Sequence, residues 1–171
     1  NDVMITASRI FLSSLNDESP ISDSLQFIIC CVILDASSSD AWYKYDDNSK
    51  NEIKQNIMEI TYNFNHTKNV SEKLDQIIAN ISFNEWPENL PDFLPLMQNF
   101  LDIYVESKST QGIFNENSTH VYRTLFYFLK LISASTKITL KRRSQLLEIF
   151  ISNLPDFFQS IFKECSLNME S

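Results

Sequence analysis

Few side chains in this sequence could carry chemistry. Two histidines, His66 and His120, three cysteines, Cys30, Cys31 and Cys165, and one basic run stand out among 171 residues. Both histidines read as lying in polar, loop-like stretches, with no second ligand at helical spacing. A metal site needs several converging ligands, so none is expected. No Ser-His-Asp or Cys-His arrangement is suggested, and no carboxylate pair sits in an acid–base frame. The single glycine, Gly112, leaves no phosphate-cradling or dinucleotide loop. The sequence is read as that of a protein that is not an enzyme and binds no cofactor.

The remaining reactive groups have structural readings. Cys30 and Cys31 lie in Phe27-Ile28-Ile29-Cys30-Cys31-Val32-Ile33-Leu34, where cysteine acts as a small hydrophobe. They are expected to be buried and reduced, which favours a reducing compartment. The basic run Lys137-Ile138-Thr139-Leu140-Lys141-Arg142-Arg143 could contact phosphate or act in nuclear localisation, but reads better as a solvated junction between loop and helix. Asn-x-Ser/Thr triplets begin at Asn65, Asn69, Asn80 and Asn117. They would matter in a secreted protein and are expected by chance in a sequence rich in asparagine. The formal net charge of −8 argues against nucleic acid as the main ligand and suits basic protein partners.

The elements that must position these groups are helices. One glycine in a chain that is 43% hydrophobic predicts an all-α fold, since sheet-rich folds need glycine at tight turns. Periodicity and punctuation mark roughly seven or eight helical segments. The first runs from about Asp2 to Leu15. The second, very apolar, is capped by Ser22 or Asp23 and continues to about Ala36. A third, from Lys50 to Tyr62, follows the capping cluster Asp46-Asp47-Asn48-Ser49 and carries Ile53, Ile57 and Ile60 on one stripe. A fourth begins at Ser71 and turns Leu74, Ile77, Ile78 and Ile81 inward.

The stretch Asn84-Glu85-Trp86-Pro87-Glu88-Asn89-Leu90-Pro91 then breaks the pattern. Proline disfavours helix in the residue before it, so this reads as a stiff joint pinned by a buried Trp86. A fifth helix is expected from Pro91 to Glu106, with Leu94, Met97, Leu101 and Tyr104 inward. Ser107 to Ser118 reads as the longest loop. A sixth runs from Thr119 to Ser133 with Tyr122, Leu125, Phe126, Leu129 and Ile132 on its inner stripe. Thr139 is placed to cap the last, whose inner face holds Leu146, Ile149, Phe150, Phe157, Phe158, Ile161 and Phe162, and which Pro155 should kink or split. No secretory leader or membrane-spanning segment is expected, and the opening directly on a helical pattern suggests a fragment. Helix pairs at roughly forty-residue spacing point to a HEAT-type solenoid, with an irregular helical bundle as the alternative.

Three groups of residues resemble the N-terminal region of the importin-β (karyopherin-β) superfamily, nearest the exportin branch. The first is Leu74-Asp75-Gln76-Ile77-Ile78 with Asn84-Glu85-Trp86-Pro87 and Leu90-Pro91-Asp92-Phe93-Leu94. The second, upstream, is Leu25 through Leu34 with Trp42 and Asn51-Glu52-Ile53-Lys54. The third is Thr124 through Ile132 with Lys141-Arg142-Arg143. The resemblance spans Ser22 to Cys165, and Leu90 stands where a second tryptophan is usual. It implies one segment over residues 1–171, a HEAT-type right-handed α-solenoid of about four antiparallel helix pairs. Trp42, Trp86, Pro87 and Pro91 would be structural. It further implies a transport receptor shuttling between nucleus and cytoplasm, without catalysis. Its expected partners are Ran-GTP, the FG repeats of nucleoporins and protein cargo, with no nucleic acid or membrane. Asn51, Gln55 and Glu59 on one helix, and Asn99, Asp102 and Glu106 on another, are the candidate partner-binding residues. The alternative is a secreted or host-directed all-helical protein-binding domain using the four triplets and a disulfide from Cys165.

Overall fold

The computed structural model describes residues 3–17, 21–38, 42–111, 116–136 and 138–169, with side chains at all of these except 38, 103–111, 116–118 and 160–169. It is all-helical. In order come α1 (Val3–Asn16), α2 (Asp23–Ser38), a 3-10 turn at Trp42–Lys44, α3 (Asp47–Asn63), α4 (Lys68–Glu85), α5 (Phe93–Gln111), α6 (Glu116–Ala134) and α7 (Leu140–Met169). Among the described residues there is no strand, and no helix is long and apolar enough to cross a membrane. The chain forms two compact units, Asn1–Asn84 and Glu85–Ser171.

Local chemistry explains where these helices start. Ser22 caps α2, its carbonyl and hydroxyl both accepting from Leu25 N–H. Asp46 caps α3: its carboxylate accepts from Ser49 N–H at 2.9 Å. That bond, joined by the Ser49 hydroxyl, holds the Asp46 carboxyl below its ordinary value. Thr139 accepts from Arg142 N–H at 3.2 Å and caps α7. Four of the expected starts are displaced: α3 opens at Asp47, before Lys50, and α6 at Glu116, before Thr119. α4 opens at Lys68, before Ser71, and α5 opens at Phe93, after Pro91, with Asp92 accepting from Leu96 N–H.

In the first unit, α1 packs on α2 and α3. Met4 N–H donates to the Tyr45 hydroxyl, Asn56 donates to Ser8 Oγ, Arg9 pairs with Glu52, and the Phe11 ring meets the edge of His66. The start of α1 thus meets Tyr45, just before α3, and its far half meets His66, just after α3, so the two helices run in the same direction. The same holds for α2 and α4. Lys73 lies over the Phe27 ring near their starts, while Asn80 and Asn84 donate to Ser37 near their ends. Ile53, Ile57 and Ile60 of α3 and Leu74, Ile77, Ile78 and Ile81 of α4 are all buried, as their spacing predicts. Trp42 is fully buried, its ring beside Tyr45 and beneath the Lys50 ammonium.

Helix α2 departs from expectation. Among its described side chains only Gln26, Cys30, Ile33 and Ser37 are buried, while Leu25, Ile28 and Val32 are exposed and Phe27 is at the margin. An almost wholly apolar helix offers several apolar stripes, and periodicity does not say which one turns inward. Cys30 and Cys31 are free thiols, the first buried and the second half-buried; Cys165 lies outside the described side chains. Burial, reinforced by the adjacent Cys31 thiol, pushes the Cys30 thiol up to about 12 from an ordinary 9.0. Unfolded Cys30 ionises near 9.0, whereas the folded chain keeps its proton. Its contribution is therefore complete below that pH and is lost as pH rises toward about 12. Denaturant midpoints measured across that window should fall more gently for Cys30→Ala than for the parent; parallel profiles would refute this.

In the second unit, α5 packs on α6 and α7. Phe128 is its hub, meeting Phe93 at 5.0 Å, Trp86 at 5.4 Å and Phe150 at 6.2 Å between ring centroids. Trp86 is buried at 3% exposure and sits in the turn after α4, where its peptide bond to Pro87 is cis. Pro87 is half-buried and Pro91 exposed. Asn89 N–H bonds the Glu85 carbonyl at 2.8 Å, closing this turn internally.

Three expectations for this unit are corrected. Much of Ser107 to Ser118 is not loop, because α5 continues to Gln111 and α6 begins at Glu116; Gly112 lies outside the described residues. The inner face of α6 is His120, Val121, Thr124, Phe128 and Ile132, while Leu125, Leu129 and Tyr122 are only half-buried and Phe126 is 61% exposed. On α7, Leu146, Phe150 and Phe157 are buried, but Ile149 and Phe158 are exposed. Tyr104, Ile161 and Phe162 lie outside the described side chains. Of the kink or split expected at Pro155, the split does not occur, because α7 runs through it. Ile151, whose carbonyl the proline cannot bond, is exposed, so water can take that carbonyl.

Candidate interaction site

His66 lies in the loop between α3 and α4, as its surroundings suggest, whereas His120 does not lie in a loop. His66 is half-buried, with Nε2 2.8 Å from the Ile60 carbonyl oxygen, and His120 is buried inside α6. Both serve packing in the described structure. The basic run is also partly structural. Arg142 pairs with Glu88, which holds the Glu88 carboxyl below its ordinary value, and Arg143 donates to the Ser135 carbonyl at 2.7 Å. These bonds tie down the start of α7. Lys141 is exposed and Lys137 lies outside the described residues.

The partner-binding candidates fall into two sets, one in each unit. Asn51, Gln55 and Glu59 are all exposed and share one side of α3, at i, i+4 and i+8. The buried isoleucines occupy the opposite side, and the flank between them carries Glu52 and Asn56, which bond α1. This set is a solvent-facing polar strip one helix wide.

The α5 set has more shape. Asn99 is exposed and Asp102 half-buried; the Glu106 side chain lies outside those described. Asn99 and Asp102 line a cavity of about 400 Å³ between α5 and α7. Leu94, Pro95 and Gln98 complete the α5 wall, and Asn153, Asp156 and Phe157 form the α7 wall. Gln98 Nε2 lies 3.3 and 3.4 Å from the two Asp102 carboxylate oxygens, so the amide steadies that carboxylate. The apolar floor and polar rim follow from helix geometry. Leu94 and Phe157 are inward residues of their helices, while Gln98, Asn99, Asp102, Asn153 and Asp156 lie on the flanks.

The spacing along α5 pointed to Asn99 and Asp102 but did not find Gln98, Asn153 or Asp156. The readable signal on α7 was the i, i+3 pair Asn153 and Asp156 beside the core residue Phe157. Comparison with protein-family models, with curated proteins and with solved structures finds no match.

Proposed function

We propose that this chain is a segment of a nuclear transport receptor of the importin-β superfamily, nearest the exportins, and that each unit is a run of HEAT-type stacked helix pairs. The observation that carries this reading is the parallel course of α1 with α3 and of α2 with α4 in the first unit. Alternate helices run parallel when successive helix pairs stack in register, which is how a solenoid extends its core. In the second unit, α5 and α7 are also parallel. Glu88, just before α5, meets Arg142 at the start of α7, and farther along the first half of α5 shares the cavity with the middle of α7. The two buried tryptophans, near the end of α2 and the end of α4, support the repeat reading as well.

On this reading α3, α5 and α7 are inner helices, α2, α4 and α6 outer ones, and the protein works by binding rather than catalysis. Asn51, Gln55, Glu59, Asn99, Asp102 and Glu106 belong to the surface for Ran-GTP. FG repeats of nucleoporins would meet the outer helices, and the receptor would carry protein cargo between nucleus and cytoplasm. A secreted binding domain is less well supported. The triplet at Asn80 lies within α4, with the Asn80 amide bonded to Ser37 and Ser82 buried.

Capture of the chain, within its full-length parent, by immobilised Ran tests this proposal. Retention on the GTP-loaded form well above the GDP-loaded form is expected. Equal retention, or none on either, would count against it. Charge reversal of Asp102 and Glu106 together is expected to weaken the GTP-dependent fraction without changing the fold.

A further inference from the structure

We draw no further inference here: the strongest candidate, the exposed apolar stripe of Leu25, Ile28 and Val32 along α2 in the first unit, carries nothing because nothing in the structure shows what covers it.

Discussion

Replacing Trp86 with alanine is expected to lower stability by about 3–5 kcal/mol, the range for large-to-small changes in a packed core. Trp86 is 3% exposed and meets Phe128 edge to face at 5.4 Å, so its removal opens a void beside the aromatic hub of the second unit. The joint in which it sits holds no long helix of its own, and little there can collapse to fill the space. Phe128→Ala should cost a similar amount, because that ring also touches Phe93 and Phe150. The double variant should lose less than the sum of the two, since each single change already breaks their shared contact. Urea denaturation of the parent, both single variants and the double variant measures all of this. A Trp86→Ala midpoint equal to that of the parent would show that the ring contributes nothing to the core.

A second substitution should act in the opposite direction. Pro155→Ala is expected to stabilise the chain by about 1–3 kcal/mol, because proline inside a helix removes a backbone bond and crowds the preceding turn. Pro155 lies within Leu140–Met169 and is exposed, so the change sacrifices no core packing. It restores a donor for the Ile151 carbonyl. It also leaves the cavity residues Asn153, Asp156 and Phe157 unchanged. Thermal unfolding followed by circular dichroism checks this expectation. A fall in melting temperature would mean that proline at this position stabilises α7 where it meets α5.

Much of this fold was legible because some stripes are unambiguous. Ile53, Ile57 and Ile60 stand alone on an otherwise polar helix, and only one face of α3 could turn inward. Asp46 and Thr139 announced their helices for an equally local reason: each supplies an oxygen to an N–H that the helix cannot satisfy itself. α6 was harder to read. Its run Tyr122 to Ile132 is apolar on more than one side, and the structure buries His120 and Thr124 while leaving Phe126 in solvent. Tertiary partners, here Phe93, Trp86 and Phe150 converging on Phe128, choose the face that propensity leaves open.

The cavity between α5 and α7 shows the same division. Asn99 and Asp102 could be picked from their position away from the core stripe of α5. Asn153 and Asp156 join them only because α7 returns alongside α5 in the same direction, and a pairing between helices so far apart in sequence leaves no mark on local periodicity. The joint at Trp86 was visible from its prolines, but its partner Phe128 was not.

The parallel course of α5 and α7 also has an electrostatic consequence. Antiparallel neighbours cancel their macrodipoles, whereas parallel neighbours add them, so two partial positive charges lie at the same end of this pair. The first turn of α7 adds Lys141, Arg142 and Arg143 and contains no acidic residue, which runs against the usual preference at a helix start. Glu88 is the local counterweight. By holding Arg142 it brings a full negative charge to the end where the two helix fields reinforce each other. In a chain with a formal net charge of −8, the first turn of α7 is thus a local concentration of positive charge, set where the helix field is positive as well.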